Sequence, residues 1–244
     1  MKSYFTLLSI VTVLITGCTG YTTKDGKVYL KRFTEANMKV TYSEVDADFE
    51  TFEVIDHDLN IDLGKDKDYV YLATSILVDA DPNSFSQIKN YYWKDHQHVF
   101  LIGYGGNNCM IPEADPNSFQ VIENYLWARD KDNLYYRQFK LDIVNPNKFN
   151  VIDENWGKDD THYYWHSRRV DSLDYNHAHI LSSDYIADKR HIYFKDKLVQ
   201  DANPLTFKVD GVGSFGHDDK NMFDGNKNRG PITEEYRKIH IDKK

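Results

Sequence analysis

Short hydrophobic runs alternate with polar turns along the chain, and this alternation repeats. Its clearest marker is an aspartate that recurs every 29 to 35 residues. A large apolar or aromatic residue stands three positions before it, and a hydrophobic-aromatic pair begins four positions after it. Six copies share this register, with anchor aspartates at Asp66, Asp95, Asp130, Asp159, Asp188 and Asp218. A shorter relative spans Lys24 to Tyr29. Self-similarity at this period indicates a repeat architecture.

Each copy predicts a β-hairpin whose turn begins at the anchor. A polar tetrad such as Asp188 to His191 separates two apolar runs, and aspartate favours the first turn position because its carboxylate accepts backbone NH groups two residues on. With a two-residue loop, the aromatic residue five positions after the anchor faces the residue two positions before it. That residue is small in four copies, namely Gly64, Ala128, Gly157 and Gly216. We expect the ring to lie across this small neighbour.

A second element recurs between the hairpins and predicts a capped helical turn. An Asp or Asn can cap the turn, and proline fits next because its missing NH had no partner there. A phenylalanine follows, as in Asp81 to Phe85, Asp115 to Phe119, Asn145 to Phe149 and Asn203 to Phe207. Asp48 with Phe52 lacks the proline, and Asp174 with Ala178 is a decayed copy. The chain therefore predicts an all-β fold of repeated β-hairpins with one short helical turn per repeat, in a solenoid-like or radial stack.

These motifs resemble the DKNYY family of bacterial repeat proteins. The resemblance lies in the Asp-Lys-x-[His/Asn] turn, the hydrophobic-aromatic pair and the Ala-Asp-Pro-x-x-Phe turn, over about Leu63 to Phe223. It implies a cell-envelope repeat protein and brings no catalytic residues with it. The predicted organisation is a signal peptide over 1–17, an N-terminal segment with a diverged repeat over 18–60, hairpin repeats over 61–230 and a polar C-terminal tail over 231–244.

The first 17 residues have the pattern of a secretory leader. Lys2 supplies one positive charge, and the mostly apolar stretch from Tyr4 to Ile15 is shorter than the roughly 20 residues that span a bilayer. The end of the leader resembles the lipobox of bacterial lipoproteins, in which cleavage between Gly17 and Cys18 leaves an acylated cysteine. An ordinary secretory leader followed by an incidental cysteine is the alternative.

The lipobox predicts a lipid-anchored protein of the bacterial cell envelope. Thr19, rather than aspartate, follows the cysteine, which by resemblance to Gram-negative lipoproteins indicates the outer membrane, facing the periplasm, in a host with two membranes. If Cys18 carries lipid, Cys109 has no partner within the chain, and the fold must stand without disulfides. We interpret Cys109 as a packed small hydrophobe or, if it is exposed, as a link to another chain.

The charge balance restricts the kind of partner. The chain has 30 Lys and Arg against 38 Asp and Glu, and its net charge of −8 becomes −9 when Lys2 leaves with the leader. This argues against nucleic acid, which requires a basic surface, and favours a basic protein as partner. The aromatic content of 14%, dominated by 18 Tyr, favours strands over helices.

Candidate catalytic and metal-binding residues are sparse. His98, His162 and His191 share one turn position, but Tyr and Asn occupy it in other copies, so turn chemistry explains them better than a metal site does. We expect no metal, no cofactor and no enzyme activity.

An insertion supplies the candidate binding residues. The segment Gly103 to Cys109 lengthens one copy as a loop, and insertions on repeat scaffolds often mark the binding face. We therefore predict Tyr104, Asn107 and Asn108 as partner-binding residues.

Three classes of function follow. The first is a binding protein that acts through a protein–protein surface, for example an immunity protein that neutralises a periplasmic effector. The second is a structural or glycan-binding envelope lipoprotein, in which tryptophans stack on sugars; the competing interpretation of these tryptophans is core packing. The third is an enzyme, for which the chain offers no motif. The tryptophans concerned are Trp93, Trp127, Trp156 and Trp165.

Overall fold

The computed structural model describes residues 19–55, 61–104, 107–123, 126–143, 146–211 and 213–242. The leader, with the predicted cleavage residue Gly17 and lipidation site Cys18, lies outside the described residues. The chain divides into two compact units, Met1–Phe119 and Gln120–Lys244. Nearly all regular structure in both is antiparallel β-sheet, so the predicted all-β fold is confirmed. Among the described residues, no helix has the length and apolar character needed to cross a membrane.

The first unit contains a three-stranded sheet followed by two four-stranded sheets, each with its strands in sequence order. The three-stranded sheet consists of β1 (Gly20–Lys24), β2 (Lys27–Thr34) and β3 (Lys39–Val45). The next sheet consists of β4 (Glu53–Val54), β5 (Leu63–Lys65), β6 (Val70–Leu72) and β7 (Ser75–Ile76). The third consists of β8 (Ser86–Lys89), β9 (Tyr92–Lys94), β10 (Val99–Tyr104) and β11 (Asn107–Met110).

The second unit contains four-stranded sheets of the same order, followed by a short helix. The first two consist of β12 (Gln120–Glu123), β13 (Trp127–Arg129), β14 (Leu134–Tyr136), β15 (Phe139–Lys140), β16 (Asn150–Val151), β17 (Trp156–Lys158), β18 (Tyr163–Trp165) and β19 (Arg168–Arg169). The last two consist of β20 (His179–Ile180), β21 (Tyr185–Ala187), β22 (Ile192–Phe194), β23 (Lys197–Leu198), β24 (Lys208–Val209), β25 (Phe215–His217), β26 (Asn221–Asp224) and β27 (Lys227–Pro231). Helix α1 (Glu234–Tyr236) continues as a π-helical segment, Arg237–Ile241.

The predicted hairpin is the central strand pair of every four-stranded sheet. Gly64 faces Tyr71, as the two-residue loop requires, and the NH of Asp66 donates to the carbonyl of Tyr69 at 3.0 Å. The other five repeats have the same register and the same closing bond. An outer strand flanks each hairpin on either side. The sequence pattern did not predict these strands because most are only two to four residues long.

The predicted helical turn lies just before the first strand of a repeat. The NH of Ser84 donates to the carbonyl of Asp81 at 3.3 Å, and an Asp81 carboxylate oxygen caps the turn by accepting the NH of Asn83 at 3.1 Å. Two copies are 3-10 helices, Pro146–Lys148 and Tyr175–His177. The one-turn prediction is therefore confirmed in these copies.

The anchor aspartates are buried, and their carboxylates organise the hairpin turns. Each is at most 7% exposed. One oxygen of Asp66, Oδ1, accepts the NH groups of Asp68 and Tyr69 at 2.8 and 2.7 Å. The other five anchors make the same pair of bonds at 2.6 to 2.8 Å. The predicted turn role is confirmed, and each anchor accepts one more turn NH than the sequence predicted.

The other carboxylate oxygen joins the hairpin to the capped turn. Oδ2 of Asp66 accepts the NH of Asp48 and the hydroxyl of Tyr71, both at 2.8 Å. Three further anchors accept the NH of their capping residue at 3.0 Å, in the pairs Asp95–Asp81, Asp188–Asp174 and Asp218–Asn203. Each of these carboxylates therefore holds together two elements that are 14 to 18 residues apart in sequence.

The hydrogen bonds keep four of the buried carboxylates ionised, those of Asp66, Asp95, Asp159 and Asp188. Burial by itself raises the pKa of Asp66, but the bonds from the Asp48 NH, the Tyr71 hydroxyl and the turn NH groups outweigh it, so the pKa lies below its ordinary value. Asp95, Asp159 and Asp188 also have lowered pKa values, because the hydrogen bonds that each carboxylate accepts outweigh the effect of burial. Burial, followed by the bond to Asp66, raises the pKa of the Tyr71 hydroxyl, which therefore remains a donor.

The small hairpin residue makes room for the phenylalanine of the capped turn. A Cβ added at the glycine would collide with that ring in the pairs Gly64–Phe52, Gly157–Phe149 and Gly216–Phe207. The expectation that the cross-strand ring fills this space was therefore wrong, although Tyr164 does contact Phe149 with ring centroids 5.8 Å apart. In the decayed copy the volumes are exchanged: Ala178 replaces the phenylalanine, and Ile186 replaces the glycine.

Neighbouring sheets within a unit share hydrophobic clusters. In the second unit, Trp156 and Tyr163 of one sheet pack in a common cluster with Ile186 and Tyr193 of the next. The indole NH of Trp156 donates to the carbonyl of Ser182 at 3.1 Å, which also joins these sheets. All four tryptophans are at most 9% exposed, so their interpretation as core residues is confirmed.

Short elements cover the first and last repeats of the described chain. The β1–β3 sheet packs Val28, Leu30 and Val45 against Tyr71 of the first repeat. In the second unit, α1 buries Tyr236, whose hydroxyl donates to the carbonyl of Gly216 at 3.0 Å. The polar C-terminal segment thus begins with a helix that its composition did not predict. Terminal elements of this kind are typical of repeat proteins, because an end repeat would otherwise expose its apolar face.

One histidine is held neutral inside the second unit. The ring of His166 stacks between Tyr136 and Trp165, with centroid distances of 4.0 and 3.6 Å, and Nε2 lies 2.9 Å from Asn155 Oδ1. Burial, and then the positive charges of Arg137, Lys195 and Arg168, lower its pKa to about 4. The surrounding groups therefore favour the neutral imidazole.

We predict that Asp66→Ala destabilises the protein by about 3 kcal/mol or more, since it leaves buried NH and hydroxyl donors without their acceptor. The matched control is Asp68→Ala, two residues away and exposed, which should change the free energy of unfolding by less than about 0.5 kcal/mol. Urea unfolding of both variants measures the difference. Equal losses in the two variants would contradict the role assigned to the buried carboxylate.

We predict that acidification from pH 6.5 to pH 4 costs the protein about 1 to 2 kcal/mol through His166. The folded-state pKa is depressed, so the unfolded chain takes up the proton first, and this stability is present above pH 6.5 and lost as the pH falls towards 4. His166→Gln should flatten the pH dependence of urea unfolding in this window. The exposed His179→Gln should leave it as in the wild type. An unchanged slope in His166→Gln would refute the assignment.

Candidate protein-binding groove

The described residues of the predicted insertion are strand. Gly103 and Tyr104 end β10, and Asn107 to Cys109 belong to β11, the outer strand of the third sheet, so the interpretation of these residues as a loop was wrong. Residues 105–106 lie outside the described residues. The pairing of β10 with β11 shifts register between Ile102 and Tyr104, where Gly103 has a φ of 86°. A side chain at Gly103 would be strained at this φ and would also collide with Ile61. The bulge therefore depends on this glycine.

The three predicted binding residues lie on these strands. Tyr104 ends β10 and pairs with Asn107, which begins β11; only their backbone is described. Asn108 is exposed, and its side-chain oxygen accepts the NH of Gly103 at 2.9 Å. Asn108 therefore stabilises the bulge and is also accessible to solvent.

Strand β11 forms one wall of a groove of about 510 Å³, and β7 with the turn after it forms the other. Three apolar side chains that line the groove are exposed: Ile76 by 44%, Val78 by 70% and Met110 by 40%. Asp79 and Asn108 supply polar groups at the same place. Single exposed apolar residues are ordinary on protein surfaces, whereas several that line one groove are typical of an interaction site.

Both walls of the groove are sheet edges. β7 and β11 are the outer strands of their sheets. The outward NH and carbonyl groups of an edge strand can pair with an extended chain, and side-chain pockets beside the edge then select its residues. The arrangement is chemically suited to bind an extended peptide segment.

Cys109 also lines this groove. It is a free, partly buried cysteine, and burial raises the pKa of its thiol. A protonated thiol is a weak nucleophile, so Cys109 is better suited to pack against a bound segment than to act as a nucleophile.

The apolar walls of the groove were not predicted, although the repeat contains a signal for them. Ile76 and Val78 stand ten and twelve positions after their anchor. Two other copies have charged residues at these positions, Lys140 with Asp142 and Arg169 with Asp171. Exposed apolar residues at positions that are charged in sister repeats are thus the feature that would have located the groove.

The histidines of the turns do not assemble into a site. His98, His162 and His191 each lie beside their own anchor turn, and Nδ1 of His98 is 3.5 Å from an Asp95 carboxylate oxygen. Within the parts of the chain that the structure describes, no group of three or more His, Cys, Asp or Glu side chains is placed to hold a metal ion.

Comparison with known proteins identifies the repeat. Neither the curated proteins nor the solved structures include a match to the chain. The family model of the DKNYY family matches residues 8–104 and 101–227, and these ranges contain all six anchor aspartates and their hairpins. The chain therefore belongs to the DKNYY family.

Proposed function

We propose that this protein is a lipid-anchored binding protein of the bacterial cell envelope that takes an extended segment of a basic protein partner into the groove between β7 and β11. The observation that carries the proposal is the joint exposure of Ile76, Val78 and Met110 along a groove walled by two strand edges. An extended segment would pair with a free edge and place its apolar side chains on these three.

Charge supports a basic partner. Over residues 46–119, which include both walls of the groove, the chain has 14 acidic and four basic residues. Such a surface accelerates encounter with a positively charged protein and makes the association sensitive to salt. Asp79, which lines the groove, lies next to the most exposed of its apolar residues, Val78.

The recurring polar residues make hydrogen bonds that hold the repeats together. This structural role supports a binding function over catalysis. The anchor carboxylates accept turn and cap NH groups, and residues such as Asp81 cap the helical turns. Glycan binding through tryptophan loses its basis, because the four tryptophans are at most 9% exposed. A structural envelope protein without a partner remains the competing proposal.

The envelope location rests on the leader and its lipobox. A periplasm-facing binding protein whose groove lies in an acidic part of the chain has the properties expected of an immunity protein that masks a basic antibacterial effector. This narrower version of the proposal requires that the captured partner be toxic in the periplasm and that the intact anchored chain suppress its toxicity.

We predict that the full-length anchored protein captures one basic protein from envelope and neighbouring-strain extracts, more strongly at low salt than at high salt. Val78→Ser should reduce capture about tenfold, because the apolar contact of this side chain with the bound segment is lost without a change in charge. The matched control is Leu205→Ser, since Leu205 is an 88% exposed apolar residue of the second unit. This control should capture as well as the wild type.

Equal loss in the two variants would place binding elsewhere and contradict the groove. Turnover of a small substrate by the purified protein, with no partner recovered, would contradict the binding function altogether. The anchor is tested separately: labelled palmitate should enter the wild type and not Cys18→Ser. Release of a mature chain that starts at Thr19 would indicate an ordinary secretory leader.

A further inference from the structure

A second pocket lies within the second unit, between the last strand pairs of two neighbouring repeats. Its volume is about 320 Å³, and it is lined by Trp165 and Arg168 of one repeat and by Phe194, Lys195 and Lys197 of the next. Arg168 is opposite Trp165 in the register of β18 and β19, just as Lys197 is opposite Phe194 in that of β22 and β23. Equivalent strand ends of the two repeats therefore form the pocket.

The pocket has an excess of positive charge. Its charged side chains are three cations, Arg168, Lys195 and Lys197, and one carboxylate, Asp196, which leaves a net charge of +2. The carboxylate is engaged by the arginine, with Arg168 Nη1 at 3.4 Å from Asp196 Oδ1. Within the described part of the chain, neither lysine forms an ion pair. Two positive charges at the pocket are therefore not neutralised by the protein.

Two aromatic rings fix the ammonium group of Lys195 at the pocket. Its Nζ lies 4.6 Å from the centroid of the Trp165 ring and 5.0 Å from that of the Phe194 ring. The backbone of Lys195 is also held, because its NH donates to the carbonyl of Asp184 at 2.6 Å. An aromatic ring attracts a cation without removing its charge. The ammonium group can therefore still donate to an anion in the pocket.

The neighbouring His166 is exposed to the same positive charge. Its ring stacks on Trp165 with a centroid distance of 3.6 Å. After burial, the positive charges of Arg137, Lys195 and Arg168 lower its pKa to about 4. Two of these three groups line the pocket, so their charge acts on a neighbouring side chain although a carboxylate is present.

The hairpin itself does not require these cations. Position seven after the anchor is Ala73, Ile102, Arg137, His166, Lys195 or Gly225, and position nine is Ser75, Tyr104, Phe139, Arg168, Lys197 or Lys227. Only the repeat anchored at Asp188 has lysine at both positions, and Arg168 of the preceding repeat adds the third cation. The basic pocket is thus specific to one pair of repeats.

We propose that this pocket binds a phosphate monoester. Arg168 and the two lysines donate charge-assisted hydrogen bonds to the phosphate oxygens. The net charge of +2 matches the about −1.5 to −2 of a phosphate monoester at pH 7, whereas a carboxylate carries a single charge. The volume is at the lower end of the range for ligand pockets and suits a small ester. The site goes beyond the proposed function and requires neither the groove nor the lipid anchor.

The test titrates glycerol phosphate into the mature chain with Cys18→Ser, which has no acyl group, and follows binding by calorimetry at pH 7. Saturable binding to one site is expected, and acetate should bind more weakly. Replacing Lys195 and Lys197 by Gln should weaken binding of glycerol phosphate about tenfold, because two charged donors are lost. Replacing the same two lysines by Arg should preserve binding, because the charge is kept.

The matched control replaces Lys189 and Lys208 by Gln, which makes the same change in charge at exposed positions of the second unit outside the pocket. This control should bind as the starting protein does, and all variants should retain its thermal unfolding midpoint.

A soluble ester and a lipid headgroup can both supply a phosphate monoester, and a second titration distinguishes them. It uses phosphatidylcholine vesicles that contain phosphatidic acid. Binding to these vesicles that is tighter than binding to glycerol phosphate, and that is lost in the Lys195/Lys197 variant, assigns a lipid ligand. Equal or weaker binding assigns a soluble one.

His166 provides a readout that depends on where the anion binds. Glycerol phosphate should raise the pKa of His166, followed by NMR in the folded chain, because its negative charge offsets those of Lys195 and Arg168. An unchanged pKa at saturating ligand would place the anion elsewhere and overturn the inference.

Three further outcomes would overturn it: no saturable binding, equal affinity for acetate, or equal binding by the control and the Lys195/Lys197 variant. None of them affects partner capture through Val78 or palmitate labelling at Cys18. Failure of this inference is therefore distinguishable from failure of the proposed function.

Discussion

Every hairpin repeat depends on one buried aspartate whose carboxylate exchanges contact with water for hydrogen bonds to the hairpin turn. Removing a carboxylate from solvent costs several kcal/mol unless hydrogen bonds replace its hydration. At Asp66 the replacements are two NH groups of its own turn, the NH of Asp48 and the hydroxyl of Tyr71. Satisfying the carboxylate thus sets the length of the hairpin loop and the position of the capped turn, and in this repeat it also engages the hydroxyl of Tyr71. Bonds to a charged acceptor are also stronger than those between neutral groups, about 1.5 to 3 kcal/mol each.

Packing between the capped turn and the hairpin supplies a second constraint, and it acts through volume. Phe149 occupies the space that a side chain at Gly157 would need, and Ala178 with Ile186 fills an equivalent space with the sizes exchanged. The size of each side chain in such a pair therefore depends on the size of the other. Larger rings then join successive sheets within each unit, as Trp156 does through its bond to Ser182. Repeats of this kind stabilise their neighbours, which is why the ends carry separate covering elements.

The parts of the fold that sequence predicts are those set by contacts within one repeat. The sequence motifs of the anchor turn, the hairpin and the capped turn recur six times. The residues that all copies share can therefore be recognised although single copies vary. The partner of Gly64 was assigned incorrectly because Phe52 belongs to a different element. The groove was not predicted because Ile76 and Met110 are 34 residues apart in sequence. They come together only because the outer strands of two different sheets line the same groove. A single aromatic in a charged segment, Tyr236, likewise gave no periodic signal for α1.

The central claim is that hydrogen bonds outweigh burial at four of the anchor carboxylates and keep them ionised. Its most direct test is a titration of the aspartate carboxyl carbons by 13C NMR in the folded protein. The account predicts pKa values for Asp66, Asp95, Asp159 and Asp188 below the ordinary value of about 3.9. Values at or above 3.9 for these four groups, in a chain that is still folded, would show that burial dominates and would contradict the account.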